Sequence, residues 1–233
     1  FSPDSKHIVF FGDRFTTKDY EDFVVIDGKE GPPQKGFAWE MAFTPDSKKL
    51  VYGVDVAGRD RAIMRVQTID GSVEPVDSTF GPATLIRNFF YGPAGQLGYI
   101  GYGGENQFLV VYDGKEDSTR FREILPRNIV VSGDGKHVAY VAESGVFKYV
   151  VVFDGKPGQE MGRNVADRSL ALSPDGQRIG YATRDFGKFT AVIDGQESKV
   201  YRGVLGIVFS PDSKRVAYTA VADKWLAVID GKE

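Results

Sequence analysis

Arginine and asparagine recur at one position of a repeated pattern in this sequence. Each repeat contains an apolar strand that ends at a Ser-Pro-Asp type of turn. Four residues before the end of that strand stand Trp39, Arg87, Arg127, Arg168 and Leu205. The residues that follow them are Glu40, Asn88, Asn128, Ser169 and Gly206. Because a guanidinium group donates paired hydrogen bonds to carboxylate or phosphate, the pattern predicts a site for an anion or an acidic partner. The residues assigned to it are Arg87, Asn88, Arg127, Asn128, Arg168, Glu40 and Trp39.

A second interpretation of the same arginines is structural. Each one can pair with an aspartate or glutamate of a neighbouring repeat and thereby hold the repeats together. The sequence does not decide between a binding site and such pairing, and both interpretations stay open at this point.

Few other residues are suited to chemistry. The absence of cysteine excludes disulfides, thiolate metal sites and cysteine nucleophiles. His7 and His137 are too few for a multi-histidine metal site, and their equivalent positions predict exposed residues at the start of a strand. The chain has no Gly-x-Ser-x-Gly motif, and the glycines of 101–105 lack the strand, loop and helix of a phosphate-binding motif. We therefore predict no catalytic residue, no metal site and no cofactor.

Two short phrases repeat through the chain and define its organisation. The first occurs as FSPDSK (1–6), FTPDSK (43–48), YGPAGQ (91–96), VSGDGK (131–136), LSPDGQ (172–177) and FSPDSK (209–214). The second contains an Asp that lies at positions 27, 70, 113, 154, 194 and 230. Six units of about 40 residues therefore fill positions 1–233, which we predict to form a single domain.

The residues of both phrases are typical of tight turns. Proline presets φ at the first corner of a turn, and aspartate accepts hydrogen bonds from its own backbone. The pair Asp-Gly favours a turn in which both residues have positive φ. We therefore interpret these Asp and Gly residues as turn formers, and a calcium site is excluded because the ladder of oxygen ligands is missing.

Three apolar runs in each unit are rich in β-branched and aromatic residues, which indicates strands. A short polar piece between the Asp-Gly pair and the next unit, such as 198–203, predicts an outer strand. Tyrosines recur at one strand position, and aromatic residues recur at the start of another, as at Phe108 and Trp225. We predict that both sets pack in the core or between repeats. No helical periodicity is present.

Four short strands in each of six units predict an all-β protein with the β-propeller fold, six blades of mainly four antiparallel strands. The phrases and the order of their strands resemble the WD40-like repeat of TolB-type bacterial propellers over the whole chain. The unit at 91–96 departs most, with Ala94 in place of Asp. The sequence begins at a turn with Phe1 and ends after an Asp-Gly pair. The segment that would join the last outer strand to the first inner strand is therefore not contained in it. A seven-bladed ring with one blade missing is therefore the alternative.

In a propeller blade, the two repeated phrases lie at one end and the variable segments at the other. The variable segments are 12–21, 54–61, 103–107, 143–148, 184–188 and 221–224. Functional residues concentrate on such loops, so this end, together with the mouth of the central channel, is the predicted binding surface.

The composition and the resemblance point to a non-catalytic scaffold that binds a protein or peptide partner, with a small anion as a further candidate ligand. The alternative is a substrate-gating or catalytic propeller of a hydrolase or lyase. The net charge of −3 argues against nucleic-acid binding, and no apolar run is long enough for membrane insertion. The resemblance implies a bacterial extracytoplasmic protein, periplasmic or secreted, and we expect a monomer.

Overall fold

The computed structural model describes residues 1–15, 20–33, 38–55, 62–70, 73–74, 85–103 and 107–233. Every regular element in these residues is a β-strand, and the strands pair antiparallel in six separate sheets, here called blades 1 to 6. This confirms the predicted all-β fold with propeller-type blades. The number of blades in a closed ring, and the alternative of seven, stay predictions.

Strands are numbered along the chain and follow the order inner, second, third and outer. In the described residues, blade 1 has no inner strand and blade 6 has no outer strand. The inner strands are β4 (Ala38–Phe43), β8 (Leu85–Tyr91), β12 (Glu123–Val131), the pair β16 (Asn164–Val165) and β17 (Ala171–Leu172), and β21 (Gly203–Phe209). The second strands are β1 (Val9–Phe15), β5 (Lys49–Asp55), β9 (Leu97–Tyr102), β13 (Val138–Gly145), β18 (Ile179–Asp185) and β22 (Val216–Val221).

The third strands are β2 (Tyr20–Ile26), β6 (Ala62–Thr68), β10 (Phe108–Tyr112), β14 (Lys148–Phe153), β19 (Lys188–Ile193) and β23 (Trp225–Ile229). The outer strands are β3 (Lys29–Glu30), β7 (Val73–Glu74), β11 (Lys115–Glu116), β15 (Lys156–Pro157) and β20 (Gln196–Glu197). Each outer strand thus has two residues and follows the Asp-Gly pair directly. The prediction of an outer strand at 198–203 is wrong, because this segment leaves the sheet after Glu197 and only Tyr201 bridges back to Phe189.

The chain forms two compact units with three blades each. The first comprises residues 1–91 and 97–115, and the second comprises 92–96 and 116–233. Whether they act as one domain stays a prediction. Within each unit the core lies between consecutive blades: Ile26 of blade 1 packs with Leu50 and Tyr52 of blade 2, for example. A blade between two others thus has both faces covered, which explains the nearly continuous apolar runs of its second and third strands. In blade 6, by contrast, Val208 and Ile229 are exposed.

The predicted packing of the tyrosines is confirmed in the second strands, where Tyr52, Tyr99 and Tyr140 are almost fully buried. Each stands at an angle to an aromatic ring that comes earlier in the chain. The ring centroids of Phe11 and Tyr52 are 6.2 Å apart, and those of Phe121 and Tyr140 are 6.1 Å apart. Edge-to-face pairs of this kind stabilise the contact beyond their buried area.

The first phrase folds into a turn that is held by a hydrogen bond between two of its own side chains. Its Ser or Thr hydroxyl donates to the Asp two residues on in Ser2–Asp4, Thr44–Asp46, Ser132–Asp134, Ser173–Asp175 and Ser210–Asp212, at 2.5–2.6 Å. The fourth residue is Gly or Ser at positive φ, as in Gly135 (72°) and Ser213 (62°). Glycine adopts this conformation readily, whereas serine requires compensation from elsewhere.

The five Asp-Gly pairs that are fully described, at 27–28, 113–114, 154–155, 194–195 and 230–231, have positive φ at both residues, as predicted; Asp154 has 46° and Gly155 has 71°. The Asp carboxylate also bonds to the start of the second strand. In blade 4, Asp154 Oδ1 accepts from the Val138 N–H at 3.0 Å, and Oδ2 lies 2.7 Å from His137 Nδ1. The prediction that the histidines are exposed is therefore wrong, since His137 is half-buried against this carboxylate.

Hydrogen bonds link the turn of blade 1 to that of blade 2, and the turns of blades 4, 5 and 6 to one another. Blade 1 joins blade 2 through the Asp4 N–H to Ser47 Oγ, at 3.1 Å. Blades 4 and 5 are joined by the Asp134 N–H to the Pro174 carbonyl at 2.9 Å, and blades 5 and 6 by the Asp175 N–H to Ser213 Oγ at 3.1 Å. In the second unit the turns of blades 4 to 6 thus lie in one row, which we call the turn end.

Candidate functional site

The opposite end of blades 4 to 6 holds the hairpins between second and third strands (143–148, 184–188 and 221–225) and the chain entering each inner strand (120–128, 160–168 and 200–206). We call it the hairpin end. The backbone confirms that the entering chain reaches the hairpins, because the Arg122 N–H donates to the Glu143 carbonyl and the Arg202 N–H donates to the Val221 carbonyl, at 2.9 and 2.7 Å. The end predicted to carry function therefore contains both kinds of segment.

The predicted mouth residues lie at bulges of the inner strands. Pairing shifts between Trp39 and Met41 in blade 2, and the bulged residue Glu40 has a φ of 49°. Asn88 and Arg168 have φ values of 54° and 56° at the corresponding breaks in blades 3 and 5. In blade 5 this conformation falls on Arg168, one residue earlier than Ser169, the residue that counting along the sequence aligns with Glu40 and Asn88. A bulge leaves its residue outside the ladder and re-aims the side chain.

In the first unit, the mouth residues make contacts within and between blades. Glu40 Oε2 accepts a hydrogen bond from the Asn88 N–H of the next blade at 3.3 Å. The guanidinium of Arg87 lies over the ring of Phe108, 4.3 Å from its centroid, in a cation–π contact. Trp39 is paired with Gly53 on β5. Glu40 therefore connects two blades through a backbone N–H, whereas the structural interpretation from the sequence concerned pairing with an arginine.

In the second unit, Arg127 Nη1 lies 3.2 Å from Asp167 Oδ2 of the next blade, and both side chains are about two-thirds exposed. This pair matches the structural interpretation for one arginine, although such an exposed pair contributes little stability. Arg168 is exposed beside Asp167. Arg87 belongs to the other unit, so convergence of the three arginines on one mouth stays a prediction.

Asn128 is fully buried, and neither atom of its side-chain amide has a hydrogen-bond partner among the described residues. Its counterpart Ser169 is satisfied, because its hydroxyl accepts from the Ala182 N–H at 3.1 Å and donates to the Ala166 carbonyl at 2.7 Å. Asn128 therefore lies inside blade 4 rather than on an open surface, and it does not reach a ligand directly.

Of the variable segments, residues 16–19, 56–61 and 104–106 lie outside the described residues. The hairpins of blades 4, 5 and 6 are described, and each displays a large aromatic side chain. Phe147 is 73% exposed, Phe186 is 99% exposed and Trp225 is 64% exposed. The prediction that Trp225 is packed is therefore wrong, whereas its counterpart Phe108 is buried and its ring contacts Tyr102 and Arg87 of its own blade.

The backbone at two of these tips is itself unusual. Phe186 has a φ of 43° and is followed by Gly187 at 78°, while Phe147 has a φ of 56°. Residues other than glycine and asparagine adopt this region at a cost of about 1–2 kcal/mol. Because Phe186 packs against almost nothing, no contact within the blade offsets that cost.

The hairpin end of the second unit is positively charged. Its six segments contain ten Lys and Arg residues against six Asp and Glu residues, a surplus of four in a chain whose net charge is −3. Three of the carboxylates face cations, in the pairs Arg127–Asp167, Lys148–Glu160 and Arg202–Asp223. The hydroxyl of Ser144, with the ammonium group of Lys148, lowers the pKa of Glu160, so this carboxylate stays charged.

A cavity of about 560 Å³ lies between blades 4 and 5, lined by Glu160, Arg163, Asp185, Glu197 and Tyr181 among others. Glu160 is bonded to Ser144 and Lys148, and Glu197 is paired with Arg163, so the charges in the cavity are largely matched. The described residues contain no group of three or more His, Asp or Glu side chains placed to hold a metal ion. In the same residues, the structure has no helix that could cross a bilayer.

Sequence reasoning missed the aromatic tips, although a signal for them was present. In blades 4 to 6 each hairpin places an aromatic beside a lysine, as in Phe147-Lys148, Phe186-Gly187-Lys188 and Lys224-Trp225. The pattern was hidden because the three aromatics stand at different repeat positions, two in turns and Trp225 at the start of a strand. Composition does not distinguish a packed ring from an exposed one.

Comparison with protein-family profiles gives no match to this chain, and neither does comparison with curated protein sequences. Solved structures are similar to it in fold. The crystal structure of a eukaryotic initiation factor is 14% identical, with a TM-score of 0.51, over 96% of this chain and 65% of that one. TolB from Acinetobacter baumannii is 22% identical, with a TM-score of 0.44, over 84% of this chain and 51% of that one.

The β-propeller domain of the trilobed protease from Pyrococcus furiosus is 15% identical, with a TM-score of 0.46, over 97% of this chain and 78% of that domain. The chain thus spans about half of the TolB structure and about two-thirds of the initiation factor. At these identities the likeness concerns the fold alone. The antiparallel blades described above give the chain a β-propeller fold of the kind that its TolB-like phrases predict.

Proposed function

We propose that this chain is a non-catalytic propeller scaffold that binds a protein or peptide partner at its hairpin end and at the basic mouth of the blades. The observation that carries the proposal is the local surplus of four positive charges on a chain of net charge −3. Such a surplus attracts an acidic partner and raises the rate of encounter. The residues proposed to contribute at the mouth are Arg87, Asn88, Arg127, Arg168, Glu40 and Trp39.

The contribution of each mouth residue differs. Arg168 is exposed and can bond directly to a carboxylate, whereas Arg127 must first exchange Asp167 for the partner. Glu40 and Asn88 fix the spacing of blades 2 and 3 through their 3.3 Å hydrogen bond. Asn128 is fully buried, so it does not bond to the partner directly. In this proposal a small anion such as phosphate binds to the same arginines, but it accepts fewer hydrogen bonds than a protein partner does.

The proposal is tested by calorimetric titration of poly-L-glutamate and of inorganic phosphate. We expect weak binding to the wild-type chain that declines with added salt, and loss of binding in the Arg87→Ala/Arg127→Ala/Arg168→Ala variant. The matched control is Lys6→Ala/Lys48→Ala/Lys136→Ala, which removes three exposed lysines from turns and changes the net charge equally. Equal heats for the two triple variants, or no heat with the wild type, contradict the proposal.

We also propose that the chain acts outside the cytoplasm, in the periplasm or after secretion, and as a monomer. The support is the resemblance of its repeats to TolB-type propellers and the absence of cysteine. Cell fractionation of the producing organism, with a cytosolic marker enzyme as control, tests the location. Recovery of the protein with that marker contradicts it.

A further inference from the structure

The hairpin tips of blades 4, 5 and 6 combine an exposed aromatic side chain with an adjacent lysine. We propose that these tips are the anchors of a docking site for an acidic protein segment that also carries large apolar side chains. The inference rests on the proposed function and deepens it, because it names the chemistry of the partner and the three positions that recognise it.

The first support is exposure that nothing inside the blade explains. Phe186 is 99% exposed, and Phe147 is 73% exposed beside Val146 at 62%. Isolated apolar residues are common on protein surfaces, but here three consecutive blades each display one, in the turn for Phe147 and Phe186 and at the first residue of the following strand for Trp225. Large aromatic side chains are also the residues that most often dominate binding interfaces. The three tips therefore supply the apolar half of a binding site.

The second support is the backbone. Phe186 occupies the first position of a two-residue turn with a φ of 43°, where asparagine or glycine is favoured. Phe147 has a φ of 56° in the neighbouring blade. Unfavourable backbone conformations of this kind concentrate at binding and catalytic sites, where the side chain has a use that outweighs its effect on stability.

The third support is charge. Lys188 and Lys224 flank their aromatic residues and have no ion-pair partner among the described residues, and Lys148 is shared with Glu160 at 2.9 Å. Together with the surplus of four positive charges, they favour carboxylates next to the apolar groups of the partner. The partner chemistry is therefore acidic and apolar in combination.

The placement of the tips allows a single segment to reach them. The turns of blades 4 to 6 are hydrogen-bonded in one row, so the hairpins at the opposite end of the same strands also follow one another from blade to blade. A segment that crosses the blades meets Phe147, Phe186 and Trp225 in succession. The same combination of aromatics and lysines also suits an anionic membrane surface, which is the competing outcome of the test.

The test begins with selection of phage-displayed random linear peptides on the wild-type protein. Selected peptides are then measured by fluorescence anisotropy against three variants. The tip variant is Phe147→Ser/Phe186→Asn/Trp225→Ser, the tip-lysine variant is Lys148→Gln/Lys188→Gln/Lys224→Gln, and the mouth variant is Arg87→Ala/Arg127→Ala/Arg168→Ala. Circular dichroism and thermal unfolding confirm that each variant is folded, which the exposure of the tips predicts.

We expect the selected peptides to be enriched in both acidic and large apolar residues. We expect the tip variant to weaken their binding about tenfold or more, as loss of interface anchors does. The tip-lysine variant should weaken binding less and reduce its dependence on salt. Binding that is lost in the mouth variant but unchanged in the tip variant overturns this inference and leaves the proposed function intact.

Failure to select any peptide, with no binding of poly-L-glutamate, overturns the inference and the proposed function together. Vesicles of phosphatidylcholine with phosphatidylglycerol provide the remaining comparison. If these vesicles sediment the wild type but not the tip variant, and no peptide depends on the tips, the surface is a membrane contact and the inference is wrong.

Discussion

The two ends of blades 4 to 6 use similar residue types in opposite ways. At the turn end, Arg178 donates from Nε to Asp194 at 2.8 Å and from Nη1 to the Lys214 carbonyl of the next blade at 2.8 Å. At the hairpin end, Arg168 is exposed and Phe186 projects into solvent. Repeated residues thus form bonds within the fold, whereas residues that vary between repeats remain accessible.

We infer from this difference that the turn end of each blade contributes to folding stability and the hairpin end to partner binding. Changes at the turn end should weaken folding and leave partner binding unaffected, because its side chains bond to one another. Changes at the hairpin end should affect binding and leave folding almost unaffected. Each prediction below tests one side of this separation, beginning with the largest expected effect.

Lowering the pH should reduce the stability of the turn end more than any single substitution below, because it protonates several turn aspartates at once. Hydrogen bonds from a neighbouring hydroxyl lower the pKa of the turn aspartates Asp4, Asp46, Asp134, Asp175 and Asp212 below 3.8. A lowered pKa means that the unfolded chain binds more protons than the folded chain in this range. Their contribution to stability is therefore complete above pH 3.8 and is lost as the pH falls through the lower folded-state pKa values.

Thermal unfolding followed by circular dichroism at several pH values between about 6 and 2 measures this effect. The Ser210→Ala variant removes the hydroxyl that lowers the pKa of Asp212. Its melting temperature should therefore fall less than that of the wild type as the pH drops below about 4. A melting temperature that is constant down to about pH 2 contradicts the role given to these turns.

Arg178→Ala should lower the free energy of unfolding by about 1.5–3 kcal/mol, since it removes charge-assisted hydrogen bonds to another blade. The matched control is Arg215→Ala, at the same repeat position. Arg215 pairs with Asp230 at 2.8 Å, and the described residues show no bond from it to another blade. Urea unfolding compares the two, and an equal or larger loss for Arg215→Ala contradicts the importance of the link between blades.

Ser213→Ala should lower the free energy of unfolding by about 1 kcal/mol, because the Asp175 N–H loses its acceptor in the next blade. Ser213→Gly loses the same acceptor but adopts the φ of 62° without cost, so its effect should be smaller. The same urea experiment measures both. Identical losses show that backbone conformation is irrelevant at this position.

Phe186→Asn should raise the free energy of unfolding by up to about 1 kcal/mol, because asparagine tolerates positive φ better than phenylalanine. Phe186→Ala, which keeps the unfavourable conformation, should leave stability unchanged. Differential scanning calorimetry resolves changes of this size. A destabilised Phe186→Asn variant shows that the exposed ring supports the fold, contrary to the division between the two ends.

Much of the fold could be predicted because its signals are local. Proline, aspartate and glycine set the turn conformations directly, and Asp154-Gly155 folds as its sequence predicts. The hydrogen bond from Asp175 to Ser213 was not predictable, because it joins residues of different blades. The exposure of Trp225 was missed for a related reason, since burial depends on the neighbouring blade while the strand pattern is the same in every repeat.

The candidate site could be predicted in part. The recurring arginines and asparagines do mark the bulges of the inner strands, because a strand that leaves its ladder tolerates polar residues there. The burial of Asn128 and the pairing of Arg127 with Asp167 were not predictable, since both depend on where a bulge directs its side chain.

The most direct test of the separation between the two ends is chemical-shift mapping by NMR as a selected acidic peptide is added. The predicted result is that backbone amide signals of the hairpin end shift, with the largest changes around Phe147, Phe186 and Trp225, and that signals of 132–137 and 210–215 at the turn end stay in place. Shifts concentrated in the turns, or spread evenly over both ends, contradict the central claim that binding and folding are assigned to opposite ends of the blades.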